Sequence, residues 1–236
     1  MSFCGTRKNT ISPAPIRLHE RECGIDDCHC PALEFVDRYK YLGLIVQADL
    51  KSTGHVEKIV SRARSGVAIL ARLRGCCSMK LKKAVYHALI ESHVNFMLSI
   101  YGGTHNQLIA KIERLQRKDL RFICNSSWDA SCAPLYERTK ISTIQELYVK
   151  SLVRLMYSRM PTLERPSHEY PTRFSEERCL SIPKLRKDFS RRSALWNFIR
   201  LYNKLPTNLR KLFESQTNVD RKKCQKQIKE LGITLK

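Results

Sequence analysis

No stretch of this 236-residue sequence approaches the run of about 20 apolar residues that a membrane-spanning helix requires, so no membrane partner is expected. The opening residues, MSFCGTRKNT, have no apolar core of signal-peptide length. A glycine-rich phosphate loop and a nucleophile elbow are missing, as are internal repeats and low-complexity tracts. As a free-standing enzyme the chain looks incomplete. Acidic residues are scarce: 22 Asp+Glu stand against 43 Lys+Arg, a net charge of +21.

What is present narrows the class. Hydrophobic residues make up 42% of the chain, enough for one large or two small cores. Ten cysteines without an export signal point to a reducing compartment, where free thiols or metal ligands are expected rather than disulfides. The expected location is therefore intracellular, nucleus or cytoplasm. The positive charge is the electrostatic footprint of a nucleic-acid binder, and it is segregated. Residues 1–60 carry 8 basic and 8 acidic residues, 61–124 carry 12 and 3, 125–172 carry 6 and 5, and 173–236 carry 17 and 6. Charge that served solubility alone would be spread evenly.

The patterning predicts an α+β, mostly α-helical fold in four segments: 1–52, 53–125, 126–172 and 173–236. In the first, APIRLHE and ALEFVDRYKYLGLIV read as two β-rich stretches joined by a cysteine-bearing loop, an antiparallel pair. Within the second stretch, YKYLG reads as a strand that hinges on Gly43 and runs into core at Leu44–Val46. From residue 55 the period becomes helical. Val56, Ile59, Val60, Ala63, Val67 and Leu70 share one face at 100° per residue. Ser78 is the expected N-cap of a second helix running to Tyr101. Thr104 with Gln107 makes a capping-box pattern for a third. Three such helices with short turns predict a small bundle. Thr143 with Glu146 opens a fourth helix. Pro161, Pro166 and Pro171 punctuate a linker, and SALWNFIRLYNKL and DRKKCQKQIKEL give further C-terminal helices.

The third helix separates its faces most clearly. Leu108, Ile112, Leu115, Phe122 and Ile123 share one side, and Lys111, Arg114, Arg117, Lys118 and Arg121 occupy about a third of the circle opposite. Glu113 lies between the two faces, leaving the basic stripe without the acids that usually pair at i,i+4. Cations one turn apart suit successive phosphates, though a solvated face has the same pattern. Asp119 points into the apolar side, where a buried pair with an arginine is the simplest account. Lys80, Lys82 and Lys83 open the second helix as phosphate contacts, an import patch or ordinary surface. Cys23, Cys28 and Cys30 lie close enough in one loop to suggest zinc, with His19 or His29 as a fourth ligand; a loop that merely contains cysteines is the alternative. The exposed rings of Tyr39 and Tyr41, with Lys40, suit nucleic acid or a plain aromatic strand edge. Asp26–Asp27 sits in a polar loop unsuited to two-metal chemistry, and His87–Glu91 is a pair of the structural kind.

In order along the chain, YKYLGLIV, HVEKIVSRARSGVAILARLR, KAVYHALIESHVNFMLSIYGG, LIAKIERLQRKDLRFI, APLYERTKISTIQELY and LYNKLPTNLR resemble consecutive blocks of LINE-type reverse transcriptases. These are the RNA-directed DNA polymerases of non-LTR retrotransposons, here the jockey-like group, and the likeness runs from about residue 3 to 231. It implies that the catalytic Asp-Asp hairpin and its Mg²⁺ lie upstream of the segment MSFCGTRK, so that no catalytic residue is on this chain. Residues 1–52 would then be the last palm strands, 53–125 a thumb-like bundle, 126–172 a connecting helix and linker, and 173–236 a basic C-terminal region. YKYLG would be the primer grip, with Tyr39, Lys40, Tyr41 and Gly43 at the primer's 3′ end. The implied partners are an RNA/DNA primer–template duplex and the missing fingers and palm. Asp119 and Gln47 depart from that family's usual small residue and acid. The rival expectation is a co-opted basic protein-interaction module, zinc-bound through the cysteine loop.

Overall fold

Leu42 and Gly43 both have positive φ, 45° and 87°. Two consecutive residues of that hand make the tight turn whose twist matches antiparallel strands. The chain therefore folds back at this point into a hairpin of β1 (Arg38–Tyr41) and β2 (Leu44–Gln47), with Tyr39 opposite Val46 and Tyr41 opposite Leu44. This corrects the expectation of one strand hinged on glycine: Gly43 is the turn itself, and Leu44–Val46 are half-buried rather than core. A computed structural model describes residues 16–17, 30–157, 163, 179–214, 218–230 and 232. Most of APIRLHE and the cysteine loop lie outside them, but an antiparallel bridge between Arg17 and Ala32 joins the two predicted β stretches.

The chain divides into two units, Met1–His55 and Val56–Lys236. In the first, the Gln47 side chain accepts from the Gly54 N–H at 2.7 Å, which satisfies an otherwise orphaned donor at the start of a helix. That helix, α1 (Thr53–Arg72), buries Val56, Ile59, Ala63, Val67 and Leu70 as its period predicts, with Val60 half-buried. At Gly66 an added Cβ would lie 2.6 Å from Ile90 Cγ1, so the absent side chain is what lets the two segments touch.

Ser78 caps the next helix as expected, accepting from the Leu81 N–H, but the predicted single helix to Tyr101 is broken. It runs as α2 (Met79–Tyr86), a π turn (His87–Glu91), α3 (Ser92–Asn95) and α4 (Leu98–Tyr101), with Met97 left-handed at φ 56°. The buried positions explain why. Lys82, Tyr86, Ile90, Val94 and Leu98 recur every four residues, and at 100° per residue each such step drifts about 40° round an α-helix. The wider π turn takes back part of that drift and keeps the stripe on one side.

Helix α5 (Asn106–Cys124) begins one residue later than the capping-box pattern implies. His105 precedes it without a side-chain cap, and the Thr104 N–H bonds back to Tyr101. An unanticipated short helix, α6 (Ala133–Thr139), follows with proline in its first turn. Thr143 accepts from the Glu146 N–H at 3.2 Å to open α7 (Ile144–Tyr157). The C-terminal helices are α8 (Asp188–Arg191), α9 (Ala194–Lys204, capped by Ser193), α10 (Thr207–Glu214) and α11 (Asn218–Glu230). The fold is thus mostly α-helical α+β.

Three apolar clusters form the core of the second unit. Helix α7 serves two of them, with Ile144, Leu147, Tyr148 and Leu152 against α1, α4 and α5, and Val149, Val153 and Tyr157 against α9 to α11. The third joins α1, the π turn, α5 and α6. Beside it the buried Gln116 donates to Tyr86 Oη and Ser142 O and accepts from Tyr136, each at 2.9 Å.

Candidate nucleic-acid interface

Helix α5 turns its predicted apolar face inward, burying Leu108, Ile112 and Ile123 with Leu115 and Phe122 half-buried. Lys111, Arg114, Arg117 and Lys118 are exposed and Arg121 is half-buried. The five cations do not act alike. Arg117 turns back onto its own helix, its Nε donating to Glu113 O and its Nη2 lying 3.9 Å from the Glu113 carboxylate, so the stripe does contain an acid. Lys118 sits 5.8 Å from the Phe122 ring centroid, a cation–π arrangement. Arg121 Nε donates to Ala130 O at 3.1 Å.

Lys111 and Arg114 instead line a groove of about 450 Å³ with Leu115 of α5 and Glu57, Val60 and Arg64 of α1. Glu57, Val60 and Arg64 recur at helical spacing along one edge of α1, as Lys111, Arg114 and Leu115 do on α5. The result is a trough with two aliphatic side chains, one carboxylate and three cations. Arg64 is not singled out by the sequence pattern. It lies off the buried face of α1 and becomes a candidate only once α1 is known to run beside α5.

The lysines that open α2 divide. Lys80 is exposed and Lys83 half-buried. Lys82 is 1% exposed, and its Nζ donates to Asn125 Oδ1 at 2.7 Å and Phe122 O at 3.5 Å. This corrects its assignment as a phosphate contact: the ammonium holds the carbonyl end of α5, where a cation suits the helix dipole. Gly75 N–H donates to the same Asn125 oxygen at 3.2 Å. Asp119 also departs from expectation. It has no exposed surface, and neither oxygen has a hydrogen-bond partner, so no arginine among the described residues pairs with it. Burial pushes its carboxyl up to about 8, opposed in part by the charge of Lys118.

In the first unit, Tyr39 and Tyr41 are 55% and 61% exposed. Strand alternation puts both rings on one face of the hairpin and Lys40 on the other, so the three do not form a single surface. Cys23 and Cys28 lie outside the described residues, and Cys30 is half-buried. Among the described residues no group of three His, Cys, Asp or Glu side chains is placed to hold a metal ion. His87 and Glu91 meet at 2.6 Å on the π turn, with Asn95 donating to the other carboxylate oxygen. Comparison with protein-family models, curated proteins and solved structures finds no match to this chain.

Proposed function

We propose that this chain binds nucleic acid through the sugar–phosphate backbone, as the thumb and C-terminal part of an RNA-directed DNA polymerase of the non-LTR retrotransposon type. Its ligand is a primer–template RNA/DNA duplex, recognised by charge and shape rather than by base sequence. The observation that carries the reading is the groove between α1 and α5, where Arg64, Lys111 and Arg114 converge from two packed helices. The two helices hold the three cations along one trough, and each phosphate contact releases condensed counterions. Lys118 of α5 and Lys80 of α2 are exposed as well. Glu57 is the opposing charge in the trough, and the surplus of cations over it leaves the site attractive to a polyanion.

In this reading the catalytic carboxylates and their Mg²⁺ belong to the upstream palm, and the chain contributes grip rather than chemistry. The test is fluorescence anisotropy with a recessed DNA-primer/RNA-template duplex, a blunt duplex and a single strand at several salt concentrations. Affinity should fall linearly on a log–log plot against salt. Replacing Arg64 and Arg114 together by Ala should lower the slope by about one for each phosphate that is no longer neutralised. A slope that the double variant leaves unchanged overturns the assignment.

A further inference from the structure

Between α5 and α6 the chain holds Trp128 in solvent at 83% exposure, the highest among the described large hydrophobic side chains. A lone exposed apolar residue is ordinary; the frame around this one is not. Arg74 Nη2 donates to Ser126 O at 2.9 Å and Arg121 Nε to Ala130 O at 3.1 Å. Two arginines thus grip the backbone two residues before and two residues after the indole. The Ser126 N–H bonds back to Arg121 O at 2.9 Å and the Ala130 N–H to Ser127 O at 3.3 Å, so the loop backbone is fixed at both ends. Each guanidinium has five N–H donors and spends one of them here, leaving the others for a further acceptor. Asp129 is the one acid in the loop, its carboxyl held below the usual range by a hydrogen bond from Ser127. The charge of Arg121 lowers it as well, so Asp129 offsets part of that arginine's charge.

We propose that Trp128 is a stacking platform for an unpaired nucleobase, with Arg74 and Arg121 taking the phosphates on either side of it. An exposed aromatic on a backbone held by two arginines matches what a single-stranded overhang presents, a free π-face between two phosphates. The interior of a duplex has no such face to give. The inference rests on the nucleic-acid reading above and sharpens its ligand: a duplex in the groove of α1 and α5 that continues into an unpaired strand at the end of α5.

Besides Trp128 the chain contains one other tryptophan, Trp196. A Trp196→Phe variant therefore makes Trp128 the sole indole reporter. Titrating it with a recessed duplex should quench that fluorescence, and the same duplex with an abasic overhang should not. In the otherwise unaltered chain, Trp128→Ala should weaken binding of the recessed duplex about 5- to 100-fold. It should leave blunt-duplex affinity unchanged, with Trp128→Phe intermediate. Equal quenching by the abasic overhang, or unchanged affinity of a folded Trp128→Ala protein for the recessed duplex, overturns the inference while the backbone reading stands. If the alanine variant does not fold, the quenching comparison decides alone. No binding of any duplex at low salt overturns both readings.

Discussion

At position 119 a carboxyl group sits without solvent and without a hydrogen bond, and the protein's response to pH follows from that. In the unfolded chain the group ionises near 3.8, whereas in the folded state burial holds its proton up to about 8. Between those values the folded protein keeps a proton that the unfolded chain has given up, so stability falls as pH rises through the window and levels off above it. Tyr86, which senses the same carboxylate, stays protonated throughout because its own burial raises its hydroxyl further. Asp119→Asn should flatten this dependence, matching the unaltered protein at pH 4 and exceeding it in urea midpoint at pH 8. Parallel pH profiles would sink the idea. The position of Asp119 on the apolar face was legible from the period of α5, but its lack of a partner was not, because any partner would come from another element. Lys82 escapes a local reading for the complementary reason. A lysine counts as surface until its acceptor is known, and that acceptor is Asn125, 43 residues away.

Among the elements, the hairpin carries a turn its sequence does not advertise. A two-residue turn with both φ positive favours Asn-Gly, whereas here the first position is Leu42, which is 71% exposed and packs little. A left-handed backbone costs an ordinary residue roughly 1–2 kcal/mol. Leu42→Asn should therefore stabilise the hairpin by up to about 1 kcal/mol, since asparagine tolerates the left-handed region. Slower amide exchange at Tyr39 and Val46, a pair whose N–H groups face across the hairpin, is the readout; faster exchange would refute the turn. The same missing signal explains why YKYLGLIV reads as one strand. Helices with a clean 3.6 period or a hydroxyl cap were legible: α1, the start of α2 at Ser78, α7 at Thr143 and α9 at Ser193. The break in the second predicted helix was not, because a four-residue repeat of buried positions passes for an ordinary amphipathic helix. Nor was α6, whose seven residues are too few to establish a period.

For the molecule as a whole, every buried hydrophobic side chain among the described residues lies at Val56 or beyond. A chain starting at Lys51 should therefore melt in one cooperative transition, with a midpoint within about 3 °C of the full protein by calorimetry. A broad or absent transition would contradict that placement of the core. Charge blocks were visible in the sequence and foretold a basic face, but which cations share a groove depended on how α1 meets α5, a pairing that no local pattern encodes. The Asn125 side-chain oxygen has a consequence of another kind. It accepts from Gly75 and Lys82 at once, closing loops of 50 and 43 residues with a single atom. The entropy of closing such loops has to be met before non-local contacts reward it, so these hydrogen bonds should be absent from the transition state of folding. Asn125→Gly, which keeps the left-handed backbone at φ 55° unstrained, leaves Lys82 buried without that acceptor, a destabilisation of about 1–3 kcal/mol. In stopped-flow chevrons it should appear almost wholly as faster unfolding, with the refolding limb unmoved; slowed refolding would place the Asn125 junction in the nucleus instead. On the expected outcome, that oxygen governs how long the native state persists and has little say in how quickly it is reached.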